Sequence, residues 1–156
     1  MSLLKVDITV KEAVALYGVR SAGNDKTMAA GIRRLSAAYH TVTASRKRSV
    51  WPFFVLTRNY DPQTRNCELF IGSDTPADGL ETLLLPAGEY ATVTVRPVWG
   101  CLWGPAIGRA KRYFYTEWLP QSPYRPLNLE YEYHTAEKST GWHPSIDIFF
   151  AIAKKE

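Results

Sequence analysis

Residues 83–133 decide the fold: LLLPAGEYATVTV (83–95), WGCLWGP (99–105), AIGRAKRYFYTEWLP (106–120) and LEYEY (129–133). In order they read as strand, hinge, helix, loop and strand. Three carboxylates, Glu117, Glu130 and Glu132, stand among the rings of Trp99, Trp103, Trp118, Tyr131 and Tyr133. Rings hold a flat cation by stacking and cation–π contact, and a carboxylate offsets its charge. The stretch therefore suits a site for a bulky, cationic, aromatic small molecule.

The helical pattern spans 105–118, with Pro105 suited to the first turn. Its apolar stripe is Ile107, Ala110, Phe114 and Trp118. At 100° per residue Glu117 falls at the edge of that stripe. Downstream, 128–135 and 145–153 read as a hairpin across TAEKSTGWHP. Ile146, Ile148, Phe150 and Ile152 form one apolar face, which should pack on helices, and Asp147, Phe149 and Ala151 look the other way. In 129–133, Glu130 and Glu132 share a face opposite Leu129, Tyr131 and Tyr133. Phase alone does not say which of these faces meets Phe149. The economical arrangement puts Glu130 on the Phe149 side, because the alternative buries two carboxylates beneath a helix.

Upstream the same order appears. Residues 3–20 read as a strand, and Asn24 or Asp25 caps a helix over 26–40 with Met28, Ile32, Leu35 and Tyr39 on one stripe. WPFFVLTRNY (51–60) and CELFIGS (67–73) make a hairpin across DPQTRN. A strand region over 81–96 with a kink at Pro86-Ala87-Gly88 opens the second half. The chain thus reads as one α+β domain over 1–156, built of two β-α-β-β pseudo-repeats at about 1–75 and 80–156. Joined edge to edge, they form one curved antiparallel sheet with helices on one face and a ligand groove on the other.

Composition agrees with a packed domain: 156 residues, 46% hydrophobic, 22% charged, net charge +4. Cys67 and Cys101 form no CxxC pair, and His40, His134 and His143 show no metal spacing, so no metal or cofactor is expected. MSLLKVD carries charge too early for a signal peptide, and the uncharged run 97–108 contains too few residues to span a bilayer. A cytoplasmic protein with no membrane association follows. Arg33, Arg34, Arg46, Lys47, Arg48, Arg109, Lys111 and Arg112 read as solvated faces without a DNA-binding motif. No nucleophile elbow, phosphate loop or dinucleotide fingerprint is present.

LPAGEYATVTV (85–95), TEWLPQSPY (116–124), the Pro-led LEYEY strand and PSIDIFFAIAKK (144–155) together resemble the C-terminal half of GyrI-like small-molecule-binding domains. These include DNA gyrase inhibitory proteins and the effector-binding domains of AraC- and MerR-type regulators. The resemblance covers 80–156 in motifs and 1–75 by element order. It implies a pseudo-two-fold pair of β-α-β-β units around a hydrophobic groove that takes amphipathic, often cationic aromatic ligands. The family's neutralising glutamate, in a Phe-Glu-Val-Tyr strand, falls on Glu130. Phe149 stands where the last strand often carries a pocket Tyr, and Glu132 replaces another Tyr. Candidate ligand contacts are then Glu130, Glu117 and Glu132 for charge, with Trp99, Trp118, Phe149, Trp51, Phe53 and Tyr90 for ring contact. Two other functions fit the same residues. One is a protein-interaction inhibitor of gyrase type, acting on a protein partner. The other is a hydrolase of strained cyclopropane electrophiles with Glu117 and Glu130 as bases, as in stand-alone relatives. With no room for a helix-turn-helix, a regulatory role would run through partners.

Overall fold

The computed structural model describes residues 4–99 and 102–156; Cys101 lies outside them. The elements are β1 (Val6–Lys11), β2 (Val14–Asn24), α1 (Met28–Thr43), β3 (Phe53–Arg58), β4 (Asn66–Ser73), β5 (Glu81–Leu85), β6 (Gly88–Val95), α2 (Trp103–Tyr113), a π turn (Phe114–Trp118), α3 (Leu119–Gln121), β7 (Tyr124–His134), α4 (Ala136–Ser139) and β8 (Ile146–Lys154). All eight strands form one antiparallel sheet in the order β1-β6-β8-β7-β3-β4-β2-β5. Exchanging the two halves of the chain (β1 with β5, β2 with β6, β3 with β7, β4 with β8) reverses this order. The sheet therefore has pseudo-two-fold symmetry about the β3–β7 pair. The α+β class and the duplicated, curved antiparallel sheet are as the pattern indicates.

Each half opens with two strands where the sequence pattern suggests one. Glu12-Ala13 divides 3–20 into β1 and β2, and Pro86-Ala87 divides 81–96 into β5 and β6. The division controls the shape of the sheet. β1 and β2 take the first and seventh of the eight places in the order, yet the link from Lys11 to Val14 spans at most about 11 Å. The link from Leu85 to Gly88 imposes the same limit on the eighth and second places. Both ends of the sheet must therefore curl toward each other, and they meet where Lys11 pairs with Gly88 and Val14 with Leu85.

The inside of this curl is filled. Leu16, Leu83 and Leu85 from one end of the order pack with Tyr90, Phe149 and Ala151 from the other, and with Phe54, Leu56, Phe70 and Tyr131 between them. Phe149 stacks on Tyr131 at 4.9 Å, and Lys11 Nζ sits 4.7 Å from the Phe149 ring centre. The face without helices is thus a closed core, and the groove expected there is displaced to the other face.

Both helices pack on the outer, convex face. The Met28, Ile32, Leu35 and Tyr39 stripe of α1 packs on β2 and β4. The Ile107, Ala110, Phe114 and Trp118 stripe packs on Ala91, Val93 and the Ile146, Ile148, Phe150, Ile152 face of β8, as their alternation indicates. Each helix covers its own half, so the central β3–β7 pair forms the floor of a valley between them. Among the described residues no helix is long and apolar enough to cross a membrane.

Candidate functional site

The valley holds a cavity of about 630 Å³ lined by Asp25, Met28, Thr57, Tyr60, Lys111, Tyr115, Pro126, Asn128, Leu129 and Glu130. Its floor is the cross-strand pair Thr57 and Glu130, at the pseudo-two-fold axis. One wall comes from the start of α1, where Asn24 accepts a hydrogen bond from the Lys26 amide at 2.9 Å and caps the preceding turn. The opposite wall is Lys111 and Tyr115, four residues apart across the junction of α2 and the π turn.

Pairing fixes the phase that alternation left open. Glu130 lies opposite Phe150 and Glu132 opposite Ile148, whereas Tyr131 lies opposite Phe149. Both carboxylates therefore project from the helix face, not the Phe149 side. The expected cost of burying them is met by specific partners. The Tyr115 hydroxyl donates to Glu130 Oε1 at 2.8 Å, and Lys111 Nζ lies 2.8 Å from Oε2. The Tyr115 bond to the carboxylate contributes about 1.5–3 kcal/mol and the Lys111 contact acts as an ion pair, so together they offset part of the desolvation. Glu132 Oε1 lies 3.1 Å from His134 Nε2.

The electrostatics of this cluster are coupled. Burial disfavours the Lys111 ammonium, but Glu130 and Glu132 outweigh it and hold its pKa above the ordinary lysine value. Burial also opposes the Glu132 carboxylate, and the His134 bond and Lys111 charge outweigh that, leaving its pKa below the usual range. Burial first, then the Glu130 charge, pushes the Tyr115 hydroxyl far up, so it is a permanent donor. Two carboxylates thus stand against one ammonium in this cluster.

A bulge shapes the rim. Between Pro126–Ile152 and Glu130–Phe150, β7 advances four residues while β8 advances two. Asn128 takes φ 57° there, and its side chain clamps Tyr60. It accepts from the Tyr60 amide at 2.7 Å and donates to the Tyr60 carbonyl at 2.9 Å. Tyr60 is so held over the opening, its hydroxyl 3.4 Å from Asp25 Oδ2, and Asp25 is ion-paired with Arg65 at 2.8 Å.

Of the residues singled out from the sequence, Glu130 lines the cavity and the others stand elsewhere. Glu132 is buried beside it under His134. Glu117 is exposed on the π turn, whose i→i+5 spacing shifts it from the α-helical projection, so it does not join Glu130 as a second base. Trp118 is stacked between Phe114 and Tyr124 in the α2 core. Phe149 and Tyr90 belong to the closed inner core, with the Tyr90 hydroxyl donating to the Pro86 carbonyl at 2.6 Å. Phe53 packs on α1, stacked on His40 at 5.7 Å. Trp51 is half-buried outside the cavity and Trp99 is 89% exposed. The residues missed are Lys111, Tyr115, Tyr60, Met28 and Asp25. A signal existed for two of them: Lys111 and Tyr115 share an i, i+4 face of the helix that follows the hinge. Among the described residues no cluster of His, Cys, Asp and Glu could hold a metal.

A curled antiparallel sheet with two flanking helices is the architecture of a GyrI-like effector-binding domain. The model of one family, Cass2, the integron-associated effector binding protein, matches residues 8–152, and the chain belongs to that family. No curated protein matches the chain. Among solved structures it is similar to a Staphylococcus aureus MU50 protein, with TM-score 0.70, 9% identity and coverage of 96% of this chain and 98% of that one. It is similar to the integron cassette protein VCH_CASS2 from the mobile metagenome of Vibrio cholerae, with TM-score 0.68, 16% identity and 95% of each chain covered. It is also similar to SAV2435 bound to tetraphenylphosphonium, with TM-score 0.68, 9% identity and coverage of 96% and 94%. At these identities the likeness is one of fold.

Proposed function

We propose that the protein binds amphipathic, cationic aromatic small molecules in the valley between α1 and α2. One observation carries this reading: a glutamate whose side chain is only 15% exposed forms the floor of a 630 Å³ cavity walled by Met28, Tyr60 and Tyr115. The volume suits a drug-sized ligand. Tyr60 and Tyr115 offer ring faces, and Met28 offers an adaptable thioether that moulds to flat surfaces. The excess of carboxylates over ammonium among Glu130, Glu132 and Lys111 favours a monocation over a neutral or anionic ligand. Membership of an effector-binding family, and a fold relative bound to a lipophilic cation, support the same class of ligand.

The test is a thermal-shift panel of cationic aromatic compounds and their neutral isosteres on wild type and Glu130→Gln. A ligand at a hundred times its dissociation constant adds about 2.7 kcal/mol of stability, which is easily read. Cations should shift the wild type strongly and the variant weakly, with neutral isosteres giving equal, small shifts in both. Equal shifts by cations in both proteins would reject Glu130 as the counter-charge.

A further inference from the structure

We infer that Lys111 is a tethered cation which occupies the charge site of the cavity in the free protein, so that a ligand cation binds in competition with it. This rests on the ligand-binding proposal above and adds the means by which the site selects its ligand. Glu130 presents two oxygens to the cavity, and one helical face takes both: Tyr115 on Oε1 and Lys111 on Oε2, each at 2.8 Å. The hydroxyl is a neutral donor and can stay when a cation arrives. The ammonium cannot stay without like-charge repulsion, because it already stands where the counter-ion must stand.

Among the described residues, the one other carboxylate in the lining, Asp25, is already paired. Asp25, across the opening, is held by Arg65 at 2.8 Å, and Glu132 lies outside the lining. An exit does exist: the Lys111 side chain is 31% exposed on a flexible four-carbon stem, so its head can swing to water. The free protein is then a mixture dominated by the Lys111-closed state. The apparent affinity for a simple lipophilic cation is lowered by the fraction of the open state. The lysine thereby screens out weak monocations and passes only those whose apolar contacts repay its displacement.

Tetraphenylphosphonium titrated into wild type, Lys111→Met and Lys111→Gln at pH 8, followed by calorimetry, tests this. Both variants should bind at least about tenfold tighter than wild type, or about 1.4 kcal/mol. The glutamine keeps a donor for Glu130 and decides the question if the methionine variant does not fold. In the wild type itself, the rate at which an amine-acylating reagent modifies Lys111, read by peptide mass spectrometry, should rise on saturation with the cation. Wild-type binding with equal or weaker binding by the folded variants, or a Lys111 rate that is unchanged or slowed, would overturn the competition and leave the cavity as the binding site. No binding by wild type or by either folded variant would reject the binding proposal and this inference together.

Discussion

Glu130→Gln keeps the shape of the side chain and removes the charge that Lys111 and Tyr115 are arranged around. The loss has two parts. The Tyr115 hydroxyl still finds an oxygen, but a charge-assisted bond becomes a neutral one, a loss of about 1 kcal/mol. Lys111 loses its partner at 2.8 Å. Stranding one member of a fully buried pair costs about 3–5 kcal/mol. With 31% of the Lys111 side chain exposed and Glu132 nearby, this falls to about 1–2 kcal/mol, because the ammonium can rehydrate. The total is about 2–3 kcal/mol. Lys111→Met leaves Glu130 with Tyr115 alone and should cost about 1–2 kcal/mol by the same reasoning. The double variant strands neither charge and should cost less than the sum by about 1–2 kcal/mol. Urea unfolding followed by circular dichroism gives all four stabilities. Additivity within about 0.5 kcal/mol would refute the pair as a coupled unit.

Three further outcomes are expected. In Gly18→Ala the new Cβ would overlap the Ile71 carbonyl oxygen and lie 2.8 Å from Gly72 Cα, with only backbone to give way; a loss of about 3 kcal/mol should appear as a lowered Tm, and an unchanged Tm would contradict the close β2–β4 approach. Acid should destabilise the fold through Glu68 and Glu132. The Arg58 bond and Arg20 hold Glu68 below the ordinary value of 4.5, and His134 and Lys111 hold Glu132 below it against burial. Their contribution is present above about pH 4.5 and lost as pH falls through the depressed folded pKa values. Urea midpoints should therefore be level from pH 7 to about 5 and fall below that, and a midpoint that rises on acidification would contradict the pairing. Phe114→Ala should cost about 3–5 kcal/mol, since Phe114 is fully buried and stacked at 3.9 Å on Phe150; a loss under about 1 kcal/mol would contradict the α2 packing.

Where local pattern and tertiary packing agree, the sequence was readable. The Ile146, Ile148, Phe150, Ile152 face and the α1 and α2 stripes stand where alternation and helical period put them. Two features lay beyond local pattern. A two-residue interruption such as Glu12-Ala13 looks like irregularity within one strand, yet it sends the chain to the opposite end of the sheet and so causes the curl. The face of Glu130 depends on register with β8, which no single strand encodes. Burial of two carboxylates is prohibitive unless a cation lies beneath the same helix, and Lys111 by sequence alone is one basic residue on a solvated face. Its neutralising role emerges only once α2 is laid over β7. Trp99 shows the converse: an aromatic beside the motif, drawn into the site by proximity in sequence, stands in solvent.

The central claim is that the ligand site is the valley on the helix face, with Glu130 as its charge. The structure of the complex with tetraphenylphosphonium, determined by crystallography, tests it most directly. The account predicts the phosphonium between α1 and α2, its rings against Met28, Tyr60 and Tyr115, and Glu130 as the nearest carboxylate. A ligand seated against Phe149 and Tyr90 inside the curl, or against Trp99 at the surface, would contradict it.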